Sequence, residues 1–181
     1  MLKRISQFFQ RDKSSKSASG PLVFGDGQHC LSPDMINRDA FKVVDVLQKA
    51  GLEATEIDTW GRALPIRLEP KDFDVATSAK PWEVKELFRR SRIIGRRFQI
   101  VHVQFSREII EVTTFRSNSS QSTSKNRRQQ TDSGMLTRDN VFGTVEEDAS
   151  RRDLTVNALY YDPSTNSIHD FTNGIDDVDA K

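Results

Sequence analysis

The chain has 181 residues, enough for one proper hydrophobic core with tails. Its 27 Lys and Arg against 26 Asp and Glu leave a net charge of +1, so partners must be read from local charge clusters rather than from the total. A single cysteine, Cys30, excludes an internal disulfide, no Cys/His group has zinc spacing, and no apolar run approaches the roughly 20 residues that span a bilayer. A cytoplasmic setting without membrane attachment is expected.

Residues 1–27 read as a disordered basic arm, with Lys3, Arg4, Arg11, Lys13 and Lys16 among small polar residues that offer little to bury. Residues 28–181 read as one folded domain. Ile36, Ala40, Val43, Val44 and Leu47 recur at helical spacing and Gly51 follows, which predicts an amphipathic helix over 35–50. Phe73, Val75 and Ala76 predict a short strand ended by Thr77 and Ser78, after which Pro81 opens a helix through Val84, Leu87 and Phe88. Arg89, Arg90, Arg92, Arg96 and Arg97 then flank Ile93-Ile94-Gly95. That cluster suits either a polyanion or a solvated helix end. Residues 98–105 and 108–115, separated by Ser106 and Arg107, predict a β-hairpin with Val101, Val103 and Phe105 on one side. Residues 117–136 are too polar to pack and read as a flexible excursion. Thr144 and Glu147 have capping-box spacing, and the helical signal runs on across Arg151, Arg152 and Asp153. Tyr160 and Tyr161, then residues 168–171, suggest a last strand or hairpin.

The chemistry-bearing residues are carboxylates. Asp72 and Asp74, at i and i+2 within an apolar strand, project to the same side and can share a divalent metal beside a phosphate. A sheet position that prefers uncharged side chains gives such a pair functional weight. Asp153 and Glu111 are both candidates for a third carboxylate, with Asp153 preferred. Arg151 and Arg152 either bind phosphate or balance Glu146, Glu147 and Asp148 on a helix surface. His29, His102 and His169 are scattered, and no GxxxxGK run exists, which excludes a P-loop.

Four segments carry a resemblance: Glu69-Pro70-Lys71-Asp72-Phe73-Asp74, the run of residues 88–98, Ile109-Ile110-Glu111-Val112-Thr113-Thr114-Phe115-Arg116, and residues 139–159 around Arg151-Arg152-Asp153. Together they resemble the head domain of bacterial poly(A) polymerases, within the class II tRNA nucleotidyltransferase/poly(A) polymerase family, over about residues 28–181. The resemblance implies an α/β (α+β) nucleotidyltransferase fold with a mixed or antiparallel sheet flanked by helices. It also implies transfer of AMP from ATP to an RNA 3′ hydroxyl, with Mg2+ as cofactor. Asp72, Asp74 and Asp153 take the places of the catalytic aspartates, with Asp72 and Asp74 as metal ligands, and Arg152, Arg151 and Arg62 take nucleotide-binding places.

Two departures shape what is expected. The family's Gly-Gly-x-Val-Arg-Asp run falls on residues 58–63, where Asp58 and Thr59 replace the glycines, only Arg62 matches, and Pro65 interrupts the helix that follows. Abrupt loss and recovery of the pattern at constant length predicts a local shift of reading frame; coding DNA with no such glycine run in either alternative frame would sink that idea. The resemblance also stops before the helical neck, body and tail that select the base and hold RNA in family members. The expected function is therefore polynucleotide adenylyl transfer, as in mRNA polyadenylation, with inactivity of this length of chain as one outcome. The alternatives are tRNA CCA addition and a non-catalytic nucleotide- or RNA-binding fragment.

Overall fold

The computed structural model describes residues 20–29, 31–57, 73–96, 98–106, 108–117 and 141–179. The arm up to residue 19, Cys30, the altered stretch with Arg62 and Asp72, Arg97, and most of the 117–136 excursion lie outside the described residues.

Eight strands form one sheet: β1 (Leu22–Phe24), β2 (Ala54–Ile57), β3 (Asp74–Thr77), β4 (Ser91–Ile94), β5 (Ile100–Gln104), β6 (Ile109–Thr114), β7 (Leu159–Asp162) and β8 (Ser167–Asp170). Their order is β1-β8-β7-β2-β3-β6-β5-β4. Every neighbouring pair is antiparallel except β3 and β6, which run parallel at the centre. The sheet is thus mixed, as the resemblance implied.

Among the described residues four helices accompany the sheet: α1 (Arg38–Lys49), α2 (Pro81–Leu87), α3 (Val145–Ser150) and α4 (Gly174–Asp179). Helix α1 starts later than its apolar spacing suggested, because Asn37 caps it by accepting from the Asp39 and Ala40 backbone N–H groups, and Met35 belongs to a short 3-10 turn. Its Ala40, Val43, Val44 and Leu47 are buried, and Gly51 beyond its end takes a φ of +80°. Helices α1 and α2 cover one face of the sheet, where Val75, Val101, Val103, Ile110, Val112, Tyr161 and Ile168 form the main core. Strand alternation sends Val101 and Val103 to this face, with Phe105 packed against it, as the hairpin pattern required.

The described residues cover the opposite face over only part of its width. Ile57, Ala76, Phe115, Ala149, Ala158 and Tyr160 make a second, smaller core beneath α3. Over β4, β5 and β6 no described element covers that face, and Arg92, Ile94, Gln104 and Ile109 are exposed.

Three expectations need correction, and one element was not expected. Strand β1 lies inside the stretch read as a disordered arm, because Leu22, Val23 and Phe24 pair with β8 and Phe24 is buried. The helix around residues 145–153 stops at Ser150, with Arg151 as its C-cap, since Arg152 already turns back toward the sheet. The arginine cluster starts after the Phe88 C-cap of α2 and continues onto edge strand β4, so only its beginning is a helix end. Helix α4 had no sequence signal of its own; buried Asp170 accepts from the Gly174 and Ile175 N–H groups at 3.0 Å each and so starts it.

Glu56 carries the altered stretch into the core, being 1% exposed on β2 opposite Tyr161. Burial first, and then the charges of Glu56, Asp162 and Asp26, push the Tyr161 phenol up to about 12.

Candidate active site

Asp74 is the first residue of β3, at the central parallel pair, and faces the partly open side of the sheet. Strand register places Glu111 directly beside it on β6, then His102 beside Glu111 on β5, then Arg92 beside His102 on edge strand β4. A row of four polar side chains therefore crosses four strands on one face. His102 Nε2 lies 3.2 Å from a Glu111 carboxylate oxygen. Beside this row, a cleft of about 470 Å³ runs from Phe73 and Asp74 past Glu111 to His102.

On the other side of Asp74, a cleft of about 400 Å³ brings in Thr113, Arg116, Arg151, Arg152, Asp153 and Asn157. The arginines are held by a buried anchor. Thr144 caps α3, with the Glu147 N–H at 3.4 Å from its Oγ1 and the Glu147 carboxylate accepting the Thr144 N–H at 3.0 Å. One turn into this helix, Asp148 is 2% exposed and accepts from Arg151 Nε at 3.0 Å and NH2 at 2.5 Å. It also accepts from Arg152 Nε at 3.3 Å and NH2 at 3.0 Å, the Tyr160 hydroxyl at 2.9 Å and the Arg116 backbone N–H at 3.1 Å.

One carboxylate thus orients two guanidiniums and ties α3 to the ends of β6 and β7. Burial alone would raise its pKa, but Arg152, Arg151 and the Arg116 N–H outweigh that and hold the Asp148 carboxyl below the ordinary carboxylate range. Arg152 further donates from NH1 to the Asn157 carbonyl at 3.1 Å and from Nε to the Tyr160 hydroxyl at 3.2 Å. Burial, set against the pull of Arg152, pushes the Tyr160 phenol well up.

Arg116 follows β6 into the same cleft. Its guanidinium pKa is lowered, first by burial and then by Arg151, with Arg152 adding to this and Asp148 opposing it. Arg116, partly desolvated and crowded by Arg151 and Arg152, favours an incoming anion. The Asn157 Oδ1 is buried without a hydrogen-bond partner among the described residues, so the cleft also offers an acceptor.

Asp74, Arg151, Arg152 and Asp153 therefore converge on one cleft, while Asp72 and Arg62 lie outside the described residues. Among the described residues no group of three or more His, Cys, Asp or Glu is placed to hold a metal ion. The carboxylates of Asp74 and Glu111 share a face in register, and hard oxygen donors of this kind fit magnesium. Asp148 and Arg116 were not singled out in sequence. Asp148 has the i+3 and i+4 spacing to Arg151 and Arg152 that could have marked it, but its acidic neighbours made it look like surface charge. For Arg116, only the fold reveals the role.

A profile of the poly(A) polymerase head domain matches residues 60–181. The chain belongs to this family. The head domain is 48% identical over 159 residues to poly(A) polymerase I of Haemophilus influenzae, covering 87% of this chain and 35% of that protein. It is 35% identical over 146 residues to a CCA-adding enzyme of Lactobacillus helveticus, covering 81% and 34%. Among solved structures, the Bacillus stearothermophilus CCA-adding enzyme in complex with CTP superposes with a TM-score of 0.61 at 26% identity, over 82% of this chain and 32% of that one. The head domain spans about a third of the length of these relatives, and its fold is that of the nucleotidyltransferases they represent. Among its described residues, no helix is long and apolar enough to cross a membrane.

Proposed function

We propose that this head domain transfers AMP from ATP to an RNA 3′ hydroxyl, as a cytoplasmic poly(A) polymerase acting in mRNA polyadenylation. The observation that carries the reading is the position of Asp74, shared between an arginine-lined cleft on one side and the Glu111–His102 row on the other. In-line displacement needs that division. The pyrophosphate end of the triphosphate leaves toward cations while the attacking hydroxyl arrives from the opposite side. Arg116, Arg151 and Arg152 would offset the triphosphate charge, and Asn157 would accept from a nucleotide hydroxyl or amine. Asp72 and Asp74 would hold magnesium, with Asp153 or Glu111 as third carboxylate; the in-register position of Glu111 raises it to equal standing with Asp153. Bound there, magnesium supplies Lewis-acid stabilisation of the phosphates and lowers the pKa of the 3′ hydroxyl. The hydroxyl gives up its proton to solvent as its oxygen attacks the α-phosphorus, the bond from that phosphorus to the oxygen bridging to the β-phosphate breaks, and pyrophosphate departs.

CCA addition is the second reading, favoured by the similarity to CCA-adding enzymes. Incubation with MgCl2, ATP or CTP, and either oligoadenylate or tRNA lacking CCA separates the two. Extension of oligoadenylate by AMP, abolished in Asp74→Ala, supports the proposal. CMP and AMP added only to tRNA would favour the second reading, and ATP binding with no extension of either RNA would leave a nucleotide-binding fragment.

A further inference from the structure

A third cleft, of about 450 Å³, opens on the same sheet face at the edge away from the arginine-lined cleft. Arg89, Arg90 and Arg92 line it, together with His102, Ile94 and Ile109. His102 and Ile109 also line the cleft that contains Asp74 and Glu111, so the two are contiguous. All three arginines are exposed, and none has an ion-pair partner among the described residues. This contrasts with Arg151 and Arg152, which Asp148 has already engaged.

Ile94 is 40% and Ile109 55% exposed beside the arginines, giving apolar surface between cationic groups. Three strand spacings separate β4 from β3, roughly 14 Å.

We propose that Arg89, Arg90 and Arg92 seat the phosphate backbone of single-stranded RNA, whose 3′ end runs along the Arg92–His102–Glu111 row to Asp74. The inference rests on the transfer reading above, because it assigns the side of Asp74 left free by the triphosphate. Guanidiniums without partners pay little desolvation when they exchange counterions for phosphates, and exposed isoleucines pack against riboses or bases without selecting a sequence.

The test is anisotropy of a labelled oligoadenylate with the full chain and with Arg89→Gln/Arg90→Gln/Arg92→Gln. The comparator is Lys42→Gln/Lys49→Gln, which removes two exposed charges from α1 on the opposite face. Affinity should fall at least about tenfold at low salt, and the slope of log affinity against log salt should flatten by about 2, since each phosphate contact to a single strand contributes roughly 0.7. Replacing the three by lysine should restore the slope. No RNA binding by the unmodified chain, or a loss no larger than in the α1 variant, overturns the proposal. RNA held through the arginines with no AMP transferred would sink the transfer reading and leave the RNA seat standing. Transfer that proceeds with an unchanged KM for RNA in the arginine variant would do the reverse.

Discussion

Asp148→Asn is the most informative single change, because it removes one charge from a buried group while keeping its shape. The carboxylate is 2% exposed and accepts from two arginine side chains, a tyrosine and a backbone N–H. An asparagine keeps one acceptor oxygen and turns an NH2 group toward a guanidinium. Breaking a buried pair by removing one partner costs about 3–5 kcal/mol. Of the two arginines, Arg152 is 12% exposed and bears that cost, whereas Arg151 at 31% can turn to water and contributes less. The expected loss is therefore about 2–4 kcal/mol at neutral pH.

Urea unfolding followed by tryptophan fluorescence measures it. The pH dependence supplies a second check. Because the folded-state pKa of Asp148 is depressed, its stabilisation is fully present above the ordinary value of 3.8 and is lost as pH falls through the lower folded-state value. The gap between the two proteins should therefore be constant above about pH 5 and narrow below about pH 4. A loss under about 0.5 kcal/mol, or a gap that does not narrow in acid, would refute the anchor role.

Arg152→Ala should raise the calorimetric Kd for ATP in the presence of magnesium by about tenfold or more, a charge-assisted hydrogen bond being worth roughly 1.5–3 kcal/mol, while Asp74→Ala should also abolish its magnesium dependence. Thr144→Ala removes the α3 cap and should cost about 1 kcal/mol in denaturant titration, with Thr144→Ser nearly neutral. Gly95 turns β4 into β5 at a φ of +88°, and an added Cβ would meet the Phe98 carbonyl oxygen at 2.2 Å. Gly95→Ala should therefore lose at least about 1–2 kcal/mol, and an unchanged unfolding midpoint would contradict the turn geometry.

Local physics made much of this protein legible from its sequence. Apolar spacing at 3.6 and 2 residues fixed α1, the β5–β6 hairpin and strand β3, since each pattern marks one face for burial. Capping chemistry fixed the start of α3. The carboxylate spacing and the family segments pointed to Asp74, Arg151, Arg152 and Asp153, which converge on one cleft. The placement of Glu111 beside Asp74 depends on β3 and β6 running parallel in register, a pairing between residues 37 apart that no local signal encodes. Asp148 looked like one of three surface acids until the fold buried it beneath two arginines. Strand β1 and helix α4 were missed for the same reason: three residues on a sheet edge and a turn started by Asp170 take their stability from distant partners. What the sequence determined by itself was the identity of the chemical groups, whereas which of them face one another was decided by strand register and burial, where contacts distant in sequence set the energy.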